Sequence, residues 1–126
     1  DNGGFSSPGV KTWLPMDPEY KSGINVEDEL QEKESLLNFY RSMIHFRNNH
    51  PVLQYGDYES CESDDENLLI FRRLFHNEIY EILINYNKKK VLIKGKDTYQ
   101  MLFGTKEEFH NGYIHQGAAI ILKVIV

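Results

Sequence analysis

The chain has 126 residues, of which 40% are hydrophobic, 13% aromatic and 26% charged, the composition of a folded globular domain and not of a disordered one. A net charge of -5 excludes the basic footprint that nucleic acid or an anionic membrane surface needs, and the one basic run, Lys88-Lys89-Lys90, suits a solvated turn. One cysteine, Cys61, excludes an internal disulfide framework and fits a reducing compartment, and no apolar run approaches the roughly 18 residues of a membrane span.

Residues 1–34 are dense in turn formers, from Gly3-Gly4 and Pro8-Gly9 to Pro15, Pro18 and Gly23. They also carry Phe5, Trp13, Leu14, Met16 and Tyr20, so the segment predicts a long loop that packs on something and not a linker. Asn25 with Asp28 three residues on predicts a capped helical turn. Ser35 to Pro51 then predicts the one long helix. At about 100° per residue, Leu36, Leu37, Phe39, Tyr40, Met43, Ile44 and Phe46 share one half of the wheel, and polar residues fill the other. Ser35 is the expected N-cap, and Pro51 forbids helix in the residue before it.

Beyond the helix the pattern changes to strands. Val52–Tyr55 leads into Gly56-Asp57 and an acidic hydrophilic loop, Glu59 to Glu66. Asn67–Phe75 and Ile79–Tyr86 predict a β-hairpin about the turn His76-Asn77-Glu78, with Tyr80, Ile82, Ile84 and Tyr86 on one face. Val91–Ile93, Thr98–Phe103 and Tyr113-Ile114 are shorter candidates. Ala118–Val126 is apolar on both faces and is expected at the centre of a sheet. Six or so strands at short spacing predict an antiparallel sandwich or barrel.

The residues alone supply no catalytic constellation. Histidines 45, 50, 76, 110 and 115 lack ligand spacing, so no metal site and no cofactor is expected. Cys61 lies in a negative field that disfavours its thiolate, and Glu59–Glu66 lacks the order of a calcium loop. No carboxylate pair stands in an apolar setting that would split its pKa values. Arg47 falls within the helix's apolar arc, where its stem is expected to pack while the guanidinium reaches a carboxylate or carbonyls near the helix end.

Three stretches are specific. Gly4-Phe5-Ser6, Thr12-Trp13-Leu14-Pro15-Met16-Asp17-Pro18-Glu19-Tyr20 and Ile24-Asn25-Val26-Glu27 resemble the segment AGFS … PWLPVNPNY … INVE of the α-glucosidase branch of glycoside hydrolase family 13. Ser35–Arg41, Phe46-Arg47 and Pro51–Tyr58 resemble its continuation. That branch holds oligo-1,6-glucosidases, dextran glucosidases, sucrose isomerases and trehalose-6-phosphate hydrolases. The resemblance is motif by motif over residues 3–58 and one of pattern only over 67–126.

The resemblance implies a fold that is mainly β with one long helix: residues 1–34 as the last βα loop of a (β/α)₈ barrel, 35–51 as its last helix, and 52–126 as a C-terminal antiparallel Greek-key β-sandwich. It implies a retaining hydrolase of α-glucosidic bonds, with a carboxylate nucleophile and an acid/base about 5 Å apart. The segments bearing the family's nucleophile, acid/base and third aspartate precede this chain, so no catalytic residue is assigned here and the piece is expected to be structural and inactive alone. Phe5 and Trp13 are its expected substrate-side residues in the parent barrel, and an α-glucoside oligosaccharide is the parent's expected partner. A cytoplasmic protein without nucleic-acid or membrane partners is expected. An isolated fragment is expected to hide the bare helix by self-association or by folding residues 1–34 back across it. The first residues, Asp-Asn-Gly-Gly-Phe without methionine or a signal-peptide pattern, suggest a processed or excised piece. Two alternatives stay open: a non-catalytic relative of the transporter heavy-chain ectodomain type, and a stand-alone carbohydrate-binding β-domain.

Overall fold

A computed structural model describes residues 2–93, 98–104 and 107–125, and the chain divides into two units, Asp1–Asn49 and His50–Val126. The first unit is helical. Short 3₁₀ turns at Asn2–Gly4 and Pro18–Ser22 precede helix α1, Val26–Gln31, and helix α2, Leu36–Asn48. Both expected caps form: Asn25 Oδ1 accepts from Asp28 N at 2.8 Å, and Ser35 Oγ accepts from Asn38 N at 3.2 Å. The α1–α2 corner is polar. Ser35 Oγ donates to the Glu29 carbonyl at 2.6 Å, Asn38 Nδ2 donates to the carbonyls of Glu29 and Glu32, and Glu29 accepts from Leu37 N at 2.9 Å. No residue of α2 is buried, and Arg47 is exposed where the helical wheel had predicted a packed stem.

The second unit opens with a helix the sequence pattern did not predict. Val52–Tyr55 lies in helix α3, Pro51–Tyr55, with Pro51 in its first turn, where a missing N–H has no partner to lose. The proline that ends α2 therefore also starts α3. Val52 is fully buried, and the rings of Tyr55 and Phe75 approach to 6.1 Å. Gly56 closes α3 onto the sheet: a Cβ there would stand 2.4 Å from the Val52 carbonyl oxygen and 2.9 Å from that of Leu74, so only glycine fits.

Eight strands follow among the described residues: β1 (Asp57–Cys61), β2 (Leu68–Phe75), β3 (Glu78–Asn85), β4 (Val91–Leu92), β5 (Tyr99–Phe103), β6 (Phe109–His110), β7 (Tyr113–Ile114) and β8 (Ala119–Val124). Five form an antiparallel sheet ordered β1-β2-β3-β8-β5, and three form a small sheet ordered β4-β7-β6. The predicted hairpin is β2–β3, with Phe75 paired to Glu78 about a tight turn in which His76 takes φ 53°. β8 has a neighbour on each side, as its two apolar faces require, and Val126 of the expected strand lies outside the described residues. Two strands went unpredicted. β1 takes the start of the expected acidic loop, because an edge strand pairs on one side only and tolerates outward charge. β6 is too short for alternation to register.

Leu68, Ile70, Leu83 and Leu122 of the large sheet share one apolar core with Ile93 and Ile114. Asn85, at the end of β3, is buried and ties the two sheets. Its Nδ2 reaches the carbonyls of Lys89 (3.0 Å), Ile114 (3.2 Å) and His115 (2.9 Å), while its Oδ1 accepts from Asn87 N at 2.9 Å. Asn87 in turn donates to Asp65 Oδ1 at 3.1 Å, which pins the β1–β2 loop.

Three outcomes follow from this packing. Leu122→Asp places an unpaired charge at a fully buried position and is expected to unfold the β-unit, as several kcal/mol are at stake; an unchanged thermal midpoint by circular dichroism would refute the central place of β8. Asn85→Ala strands the acceptors of Ile114 and His115 and should cost about 1–3 kcal/mol in urea denaturation. The hydrogen bonds from the Asn87 side chain and the Asn67 backbone hold the Asp65 carboxyl below its ordinary value of 3.8. Their stabilisation is present above the ordinary carboxylate range and is lost as pH falls through the lowered value. A carbon-detected titration of Asp65 should show that depression, and Asn87→Ala should raise the midpoint.

Candidate functional site

The long first loop is organised around Asn25, which is buried. Besides capping α1, its Nδ2 donates to the Tyr20 carbonyl at 2.7 Å and to Asp28 at 2.6 Å, so one side chain fixes the approach of the loop to the helix. Gly3 lies against it at φ 51°, and a Cβ there would come within 2.7 Å of the Asn25 Cβ. Asn2 closes the other end, donating to Ser6 Oγ at 2.7 Å and to the Val10 carbonyl at 2.9 Å. The predicted loop is therefore held by its own hydrogen bonds.

Phe5 emerges from this frame more than half exposed, between two apolar clefts. One, of about 450 Å³, has Leu14, Met16, Tyr20 and Ile24 as its apolar wall, with Asp17 and Glu19 at its edge. The other, of about 340 Å³, is formed with Ile24, Leu36, Leu37 and Tyr40. Trp13 lines neither cleft and is 96% exposed. Phe5 and Trp13 are thus both presented outward, but only Phe5 stands at a cavity. The shared residue Ile24 carried no signal by composition, because a single apolar residue beside Gly23 has no periodicity to identify it.

In the β-unit one carboxylate has the burial that often marks function. Glu81 is 1% exposed, on the core face of β3 beside Leu83. No local pattern marks it, because alternation in β3 placed the apolar face with Tyr80 and Ile82; both faces of the strand are buried, and a carboxylate does stand in an apolar setting. Its Oε2 accepts from Nε and Nη2 of Arg72, each at 3.4 Å, and from the Tyr99 hydroxyl at 2.9 Å. Burial works to lower the Arg72 pKa, but the charges of Glu81, Cys61 and Tyr99 and the hydrogen bonds to Glu81 together outweigh it and leave the guanidinium above its ordinary value. A carboxylate held this way is an ion-pair partner and not a poised acid or base. Among the described residues, no group of three His, Cys, Asp or Glu side chains is placed to hold a metal ion, and no helix is long and apolar enough to cross a membrane.

Residues 1–56 match the family described as the α-amylase catalytic domain. The chain is 29% identical over 108 residues to oligo-1,6-glucosidase IMA3 of Saccharomyces cerevisiae, covering 82% of this chain and 18% of the relative. It is 28% identical over 113 residues to an oligo-1,6-glucosidase of Parageobacillus thermoglucosidasius, covering 90% and 19%. Its fold matches that of the trehalulose synthase MutB from Pseudomonas mesoacidophila MX-45 with a TM-score of 0.73 at 22% identity, over 91% of this chain and 22% of that one. The chain therefore spans about a fifth of the length of the curated relatives it matches. The loop motifs and the family match fall on the same residues, and the chain is similar to the oligo-1,6-glucosidases of the α-glucosidase branch of glycoside hydrolase family 13.

Proposed function

We propose that the chain is the C-terminal, non-catalytic part of an α-glucosidase-type enzyme that hydrolyses short α-glucosides by the retaining, two-carboxylate route. Residues 1–34 serve as the last βα loop of the barrel, 35–51 as its last helix, and 52–126 as a Greek-key β-sandwich. Phe5 and Trp13 face the parent's substrate side, where exposed aromatic rings suit the apolar face of a sugar, and the whole enzyme works in the cytoplasm.

One observation carries this reading. Helix α2 is fully formed and capped, yet Leu36, Phe39, Tyr40 and Ile44 on its apolar arc are exposed. Each large apolar side chain left in water forgoes roughly 1.5–3 kcal/mol of burial. An arc of four is a surface that calls for a covering layer, and the barrel supplies one. Separated from that layer, the chain hides the arc by self-association.

Two measurements test the proposal. The purified chain should release no p-nitrophenol from p-nitrophenyl α-glucoside above buffer. A turnover that survives repurification and vanishes when one residue of this chain is changed would overturn the non-catalytic reading. Light scattering over a concentration series should show association that Ile44→Glu reduces; a strictly monomeric parent chain with α2 intact would leave the arc bare and defeat the barrel-helix argument.

A further inference from the structure

A side-chain amide is most open to attack by its own backbone where asparagine precedes glycine, because the glycine nitrogen has no Cβ beside it to obstruct the approach. The chain has two such pairs, Asn2-Gly3 and Asn111-Gly112, and their surroundings are opposite. Asn2 donates from Nδ2 to Ser6 Oγ at 2.7 Å and to the Val10 carbonyl at 2.9 Å, while Gly3 is buried against Asn25. Asn111 and Gly112 form the turn between β6 and β7, with φ 49° and 76°, the positive pair of a type I′ hairpin turn. Asn111 is exposed, and neither its side chain nor the Gly112 N–H has a hydrogen-bond partner among the described residues. The ladder beneath the turn is short, with Phe109 paired to Ile114 and His110 to Tyr113. So short a ladder opens locally at little cost, and the opened turn reaches backbone angles that the closed hairpin lacks.

We infer that Asn111 is a site of spontaneous covalent modification by water, that Asn2 is protected from it, and that one of the two products loosens the small sheet. The Gly112 nitrogen attacks Asn111 Cγ, and its proton passes through solvent to the leaving amide. The new N–Cγ bond closes a cyclic imide as the Cγ–Nδ2 bond breaks and ammonia departs. Water then opens the imide without any redox change. Attack at Cγ gives aspartate; attack at the backbone carbonyl carbon gives isoaspartate, in which the chain runs on through the side chain. Aspartate suits the turn as asparagine does. Isoaspartate adds a carbon to the backbone of a tight loop whose length sets the register of its strands. Register cannot slip freely here, because Ile114 is fully buried and its carbonyl accepts from Asn85 Nδ2.

The test is peptide mapping of the whole chain by mass spectrometry after incubation in mildly alkaline buffer made with heavy-oxygen water, beside a sample unfolded in urea. In the native sample Asn111 should convert at least about tenfold faster than Asn2, a barrier lower by about 1.4 kcal/mol, and both products should carry the label. In urea the two rates should converge, since only the shared Asn-Gly sequence then acts. Comparable rates in the native chain, a faster Asn2, a difference undiminished in urea, or unlabelled products each overturn the assignment. Asn111→Asp fixes one product and should keep the parent's thermal midpoint. The isoaspartyl form, separated by chromatography, should melt lower and lose hydrogen-exchange protection at His115, whose N–H donates to the Glu108 carbonyl at 2.8 Å. An isoaspartyl form as stable and as protected as the parent overturns the effect on the sheet.

Discussion

The β-unit depends on the side chain of Asn85. The small sheet has only two residues in each strand, far too few to stand alone, and it persists because its inner residues share the core of the large sheet and Asn85 fixes their height. One amide group meets carbonyls from the β7 end and from the turn after β3, while the Asn85 backbone N–H and carbonyl pair with Ala118 and Gly117 before β8. A buried polar group satisfied on every side adds directional constraints that apolar packing lacks. Leucines 83 and 122 supply the driving force for closing the core, and Asn85 determines the register in which it closes.

What was legible in the sequence follows from how local each signal is. The caps at Asn25 and Ser35, the start and stop of α2, and the β2–β3 hairpin need only neighbours within a few residues, and all appear where expected. The central place of β8 was legible because both its faces are apolar. Glu81 and Asn85 were not, since each is one polar residue in a strand whose alternation points elsewhere, and each is satisfied by a partner distant in sequence. Arg72 lies 9 residues from Glu81, and Ile114 lies 29 from Asn85. Helix α3 was hidden for another reason: five residues are too few to show a period, and its start depends on a proline that had already been read as a stop.

The candidate site divides along the same line. Phe5 and Trp13 stand out as aromatic residues among turn formers, a signal of composition, and both are presented outward. The contact of Glu81 with Arg72 and Tyr99 joins residues 9 and 18 positions apart, beyond the reach of a local pattern.

The two units also differ in what holds them. In the β-unit, buried leucines and isoleucines dominate and polar groups set register. In the first unit the order is reversed. Ser35, Glu29 and Asn38 form a chain of hydrogen bonds around the α1–α2 corner, and Asn25 ties the start of α1 to the Tyr20 carbonyl, while the apolar arc of α2 contributes no buried residue. Hydrogen bonds of this kind add about 0.5–1.5 kcal/mol each, and a 13-residue helix is marginal in water by itself. Capping can therefore choose where α2 begins and in which direction it leaves the corner, but it cannot supply the burial that keeps a helix of this length formed. That burial has to come from another surface, and the width of the arc, from Leu36 round to Ile44, matches a helix made to lie against a broad apolar layer.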